Sequence, residues 1–162
     1  MFQIFLPDLY VNDIYQLKVS YFINRNIKGI LIDLDNTLLP WDSYNLNQGH
    51  KEWIEQFRLN GISVCIISNN KSDRVNKCAR ILNIPAVSGP LKPSKSAFLK
   101  GLKILGTTPE QTASIGDQIF TDVFGAKRMG IHAILVKPLS KKEFFVTRLM
   151  RKIERYVLKK IR

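Results

Sequence analysis

The chain has 162 residues, 45% of them hydrophobic, which suits one domain with a real core and leaves little for a second. No apolar run approaches the ~20 residues of a membrane-spanning helix, so a helical integral membrane protein is excluded. The 25 Lys/Arg against 13 Asp/Glu give a net +12, a balance that favours anionic partners such as nucleic acid or acidic lipid surfaces and equally suits a soluble basic surface.

Residues 1–27 read as an N-terminal extension to the single domain. The start, MFQIFLPDLY, has neither the basic n-region nor the cleavage site of a signal peptide, so a cytoplasmic protein is expected. Phe2, Ile4, Phe5 and Leu6 either dip into a membrane interface or cover an edge of the core. From 28 to 137, short apolar runs alternate with helical stretches. Strands are expected at Gly29–Leu34, Ser63–Ser68, Ile84–Ser88, Ala113–Gly116 and His132–Lys137, with helices near 48–60, 71–82, 94–105 and 119–129. Runs such as ILI, VCII and AILV suit strands covered on both faces. Gly61, Gly106 and Gly130 fall where helices would end. Strand–helix repetition of this kind predicts an α/β fold: a doubly wound three-layer α/β/α sandwich with a mainly parallel sheet. Residues 28–140 form its core.

Residues 141–162 hold nine Lys/Arg and two Glu, a net +7 of the chain's +12. At helical spacing Val146, Leu149, Met150, Ile153, Tyr156 and Val157 share one face, and Arg148, Arg151, Lys152, Arg155, Lys159 and Arg162 the other. Such a basic amphipathic helix can lie on anionic lipid, at about 1 kcal/mol per well-placed Lys or Arg, or pack on its own sheet. The remaining conspicuous residues have ordinary readings. Cys65 and Cys78 make no CxxC pair, His50 and His132 lack partners at ligand spacing, and Trp41 and Trp53 read as packing residues.

In doubly wound sheets ligands collect beyond the carboxyl ends of the strands, and the polar residues of this chain collect there too. DLDNT at 33–37 follows the first strand, Ser68, Asn69 and Asn70 the second, and GDQIFTD, with Asp117 and Asp122, the fourth. Lys92 precedes the third helix. Asp33 and Asp35, at i and i+2, are expected to look into one small space, where two anions repel unless a cation joins them. Mg²⁺ is the usual hard partner of a few carboxylates and a substrate phosphate. The plainer reading is that DxDNT is only a turn, since Asp, Asn and Thr are common turn residues.

Together these four motifs, with intervals of 33, 24 and 25 residues from Asp35 to Ser68, Lys92 and Asp117 in turn, resemble those of the haloacid dehalogenase superfamily of phosphatases. The resemblance implies that Asp33 is the nucleophile forming an aspartyl-phosphate and Asp35 the general acid and then base. It implies that Ser68, with a backbone N–H of Asn69, holds a phosphoryl oxygen, and that Lys92 neutralises charge. Mg²⁺ would be held by Asp33, the main-chain carbonyl of Asp35, and Asp117, with Asp122 behind them orienting Lys92 or a metal-bound water. Neither interval that carries a cap domain in relatives has room for one here. FLPDLYVNDIYQL at 5–17, KGILIDLDNTLLPWD at 28–42 and GDQIFTDVFGAKRMG at 116–130 are similar to the YqeG type of capless phosphatases, which includes phosphatidylglycerophosphate phosphatases.

That likeness implies removal of the terminal phosphate of phosphatidylglycerophosphate, with the protein held peripherally at the inner, anionic face of the membrane. Two rivals remain at this stage. The same chemistry could act on a nucleic-acid end or a phosphorylated small molecule, although no alternation of aromatic and basic residues marks a single-strand groove. The fold could also serve as a non-catalytic phosphate-binding module.

Overall fold

The computed structural model describes residues 3–70, 73–88 and 90–140, together with 155 and 159. Among them six strands form one parallel sheet: β1 (Leu9–Val11), β2 (Gly29–Ile32), β3 (Ser63–Ile67), β4 (Ala86–Val87), β5 (Thr112–Gly116) and β6 (His132–Val136). Their order across the sheet is β1-β6-β5-β2-β3-β4. The helices are α1 (Val19–Ile23), α2 (Gln48–Leu59), α3 (Asp73–Leu82), α4 (Lys95–Leu105) and α5 (Phe124–Lys127), the last entered through a π-helical turn at Ile119–Val123.

Side-chain parity in β2 explains the layers. Ile30 and Ile32 join one apolar cluster with Phe22 of α1, Trp53, Ile54 and Phe57 of α2, and Val75 and Cys78 of α3. Leu31 faces the opposite cluster, with Ala97, Phe98 and Leu102 of α4 and Ala126 of α5. A strand buried on both sides has no use for polar alternation, hence GILI. The expected three-layer α/β/α sandwich is the observed one.

Helix termini follow local chemistry. The Asn47 carboxamide accepts the His50 N–H at 3.3 Å while the His50 ring returns to the Asn47 N–H, closing a capping box at the start of α2. The His50 ring also meets the Leu38 carbonyl at 2.9 Å, so its reading as a structural residue agrees with its partners. Gly106 ends α4 with φ 67°, the left-handed conformation glycine adopts without a Cβ clash.

Five strands were expected and a sixth is present. β1 lies within the stretch read as an extension and pairs with β6, Leu9 opposite Ile134. Its three residues are too short to announce a strand by periodicity. The preceding Asp8 fixes them, its backbone N–H donating to the Ala133 carbonyl and its carboxylate accepting the Ala133 N–H, both at 2.8 Å. Phe5 stacks on Phe124 and meets Phe120 edge-on, with centroids 5.0 and 5.6 Å away, so this residue covers a core edge. The expected helix over 119–129 is a π-helical turn followed by four α-helical residues. Phe2 and the helix expected over 141–162 lie outside the described residues, Arg155 and Lys159 excepted. No helix of the described residues is long and apolar enough to cross a membrane.

Candidate active site

β2 and β5 are neighbours at the centre of the sheet, and the chain leaves β2 toward β3 on one side and returns to β5 on the other. This switch point opens a crevice at their carboxyl ends. Asp33 is one residue beyond β2, its N–H still paired with the Ile115 carbonyl at 2.9 Å, and Asp117 is one residue beyond β5. Adjacent strands thus deliver two acids far apart in sequence to one place.

Lys92 joins them. Its Nζ donates to Asp33 Oδ1 at 2.7 Å and to Asp122 Oδ1 at 2.6 Å. Asp33, Asp117 and Asp122 each offer a carboxylate oxygen, and these lie within 4.8 Å of one another. The Thr37 hydroxyl lies 3.3 Å from Asp33 Oδ2 and 3.5 Å from Asp117 Oδ1. Asp33, Thr37, Lys92, Asp117 and Asp122 are all buried.

Asp122 reaches the cluster because the residue across from it is glycine. A Cβ at position 116 would collide with the Asp122 carboxylate carbon. The other Asp122 oxygen accepts the Gln118 N–H at 3.0 Å, so the carboxylate is fixed at both ends.

Burial dominates the electrostatics of Asp33 and pushes its carboxyl up to about 7. The Lys92 charge opposes that rise, while Asp122 and Asp35 add to it. For Lys92, burial alone would lower the ammonium's pKa, but Asp122 and Asp33 together outweigh it and hold the group protonated. Both pKa values rise, with opposite consequences: the rise disfavours the charged carboxylate of Asp33 and favours the charged ammonium of Lys92. Three carboxylates beside one ammonium in a buried space make a donor set that suits a hard divalent cation.

Asp35 differs from the expectation that both acids of DxD face one space. β2 stops at Ile32, and Asn36 adopts φ 63°, a conformation Asn tolerates better than most residues. The chain turns there, with the Asn36 N–H donating to the Leu39 carbonyl at 2.6 Å. The Asp35 carboxylate then takes its own partners: Arg74 Nε at 3.0 Å on Oδ1 and Asn70 Nδ2 at 3.3 Å on Oδ2. Its side chain is therefore separate from the Asp33–Asp117–Asp122 group, although near enough for its charge to be felt at Asp33.

Ser68 is buried one residue beyond β3, and its Oγ accepts the Asn70 N–H at 3.1 Å, which leaves the hydroxyl proton to be donated elsewhere. Asn69 uses its side chain on the main chain of Lys92, a contact its sequence position did not announce.

Two further residues join the site without a motif of their own. Thr37 lies within the DLDNT turn, and Arg74 sits on the same face of α3 as Cys78 and Leu82, where a charge interrupts an apolar stripe. That interruption was the available signal.

A haloacid dehalogenase-like hydrolase family model matches residues 40–130. Over 154 residues the chain is 40% identical to the probable phosphatase YqeG of Bacillus subtilis, covering 95% of this chain and 90% of that protein. It is 26% identical over 168 residues to the chloroplastic/mitochondrial phosphatidylglycerophosphate phosphatase 1 of Arabidopsis thaliana. That match covers 98% of this chain and spans about half the relative, 48% of its length. The fold is shared with a 3-deoxy-D-manno-octulosonate 8-phosphate phosphatase of Moraxella catarrhalis, solved with magnesium, phosphate and KDO. There the TM-score is 0.50 at 18% identity, over 72% of this chain and 79% of that one. Among the described residues each crossover from β2 to β3 and from β3 to β4 carries a single α-helix and no inserted domain. The chain belongs to the haloacid dehalogenase-like hydrolases, as a capless phosphatase of the YqeG type.

Proposed function

We propose that the protein is a Mg²⁺-dependent phosphomonoesterase that works through an aspartyl-phosphate and takes phosphatidylglycerophosphate as its substrate. The observation that carries the chemistry is the Lys92 ammonium held between Asp33 and Asp122 beside Asp117. Asp33 attacks phosphorus, the ester P–O bond breaks, and Asp35 passes a proton to the leaving oxygen. Water then attacks the aspartyl-phosphate, Asp35 takes up its proton, and phosphate departs with Asp33 restored. Ser68, the Asn69 N–H and Lys92 stabilise the charge on the phosphoryl oxygens. Mg²⁺, held by Asp33, Asp117 and the main-chain carbonyl of Asp35, would polarise a phosphoryl oxygen and offset its repulsion by the acids. Asp122 fixes Lys92 from behind.

Three observations support a lipid substrate. The likeness to the Arabidopsis protein of that name runs through 98% of this chain. An uncapped crevice admits a phosphate anchored to something large. A net charge of +12 favours an anionic membrane face. On this reading the catalytic unit is 28–140, and the protein works from the cytoplasm, held peripherally at the inner membrane face.

The test is phosphate release from phosphatidylglycerophosphate in mixed micelles, from 3′- and 5′-phosphorylated oligonucleotides and from sugar phosphates, each with Mg²⁺ or with EDTA. The lipid should be turned over best, EDTA should abolish turnover, and Asp33→Asn should be folded and inactive. Preference for oligonucleotides would remove the lipid assignment, and an active Asp33→Asn would remove the nucleophile.

A further inference from the structure

Arg74 is a buried guanidinium whose three nitrogens are all engaged. Nε donates to Asp35 Oδ1 at 3.0 Å, Nη2 to the Pro40 carbonyl at 2.8 Å, and Nη1 to the Ser43 carbonyl. The Tyr44 ring covers it, with its centroid 4.9 Å from the guanidinium carbon. Arginine's planar fork makes such a set of directed contacts, which a lysine ammonium cannot reproduce in one plane. Sequestering an arginine costs desolvation unless its donors are satisfied, and here they are spent on one acid and one loop. Asp35 itself sits on a turn, outside any strand, and its side chain remains about a quarter exposed at 27%. The backbone alone therefore leaves its carboxylate free to rotate. Arg74 and Asn70 grip one oxygen each.

We propose that Arg74 is a positioning residue for the reaction: it fixes the orientation of the Asp35 carboxylate toward the leaving oxygen and locks the 40–44 loop beside it. The inference rests on the acid–base role proposed for Asp35. The hydrogen bonds of Arg74 go to the Asp35 carboxylate and to the Pro40 and Ser43 carbonyls, and its effect on the reaction is therefore exerted through the Asp35 side chain. A group that only positions the acid matters most when the leaving oxygen must be protonated as it departs, and little when it leaves readily as an anion.

Steady-state kcat/KM is therefore compared for sn-glycerol 3-phosphate, a poor leaving group, and p-nitrophenyl phosphate, a good one. This constant reports only steps through phosphoenzyme formation. The variants are Arg74→Lys, Arg74→Gln and Asp35→Asn. Because both substrates are measured on one preparation, their ratio is independent of the fraction that has folded. The expected result is a fall of about tenfold or more in the glycerol phosphate to p-nitrophenyl phosphate ratio in both Arg74 variants, in the same direction as Asp35→Asn. If Asp35→Asn shifts the ratio and the Arg74 variants lose both activities equally, Arg74 is structural and the inference falls while the role of Asp35 stands. If Asp35→Asn leaves the ratio unchanged, the role of Asp35 falls and this inference falls with it.

Discussion

Asn69 grips the main chain of Lys92 with both ends of its carboxamide: Oδ1 accepts the Lys92 N–H at 2.6 Å and Nδ2 donates to the Lys92 carbonyl at 3.0 Å. The end of β3 is thereby tied to the loop that launches the ammonium toward Asp33. No periodic element holds Lys92, so this clamp takes the place of secondary structure in aiming it.

Asn69→Ala should therefore destabilise the protein by about 1–3 kcal/mol, the sum of two hydrogen bonds at typical net worth, and lower kcat about tenfold by misplacing Lys92. Asn69→Asp keeps the acceptor for the Lys92 N–H and loses the donor, so it should fall between. Urea unfolding and p-nitrophenyl phosphate turnover check both. Full activity in Asn69→Ala would mean that only the backbone of residue 69 serves the site.

Gly116→Ala tests the packing behind the acidic cluster. The added methyl would occupy the space of the Asp122 carboxylate, so either Asp122 moves away from Lys92 or β5 shifts. Overpacking of this kind costs about 1–3 kcal/mol, and displacement of Asp122 should lower turnover as well. A thermal melt and an activity assay on the same sample read the two effects. Wild-type behaviour in both would show that Asp122 is not held against the glycine as described.

The amino-terminal side of the sheet predicts a pH dependence of its own. Burial raises the Asp8 pKa, but the Lys127 hydrogen bond at 2.6 Å, the Ala133 N–H, and the charges of Lys127 and His132 together outweigh it and hold the carboxyl below its ordinary value of 3.8. A carboxyl lowered on folding adds stability that is fully present above its unfolded pKa and is lost as pH falls through the folded one. The part of the stability gap between wild type and Asp8→Asn that the carboxylate supplies should be fully present near pH 5, roughly a unit above the unfolded value, and should shrink as the pH falls below 3.8; between pH 5 and 7 the gap also follows the titration of the neighbouring His132, whose pKa the Asp8 charge raises against burial. Denaturant unfolding at stepped pH measures it, and a gap independent of pH would contradict the assignment.

The fold was legible where burial forces a pattern. GILI and VCII suit doubly covered strands, and with helical stretches between them the loops that follow could be placed at one rim of a parallel sheet. β1 was not legible, because LYV is too short to show a period and owes its place to Asp8, a residue whose partner is 125 positions away. For the same reason spacing alone pairs Asp33 with Asp35, whereas Asp35 turns to Arg74, 39 positions on, and Asp122 stands with Asp33 and Asp117. Spacing of two describes neighbours on a strand, and the strand had already ended.

Because β2 has a hydrogen-bonded neighbour on either side, while the sheet terminates in strands of three and two residues, fraying begins far from Asp33. Local opening at those margins detaches β1 or β4 and leaves the β5–β2–β3 centre joined. Asp33 and Asp117, each one residue beyond a central strand, are thus fastened to the segment expected to separate last, while the margins of the sheet open first.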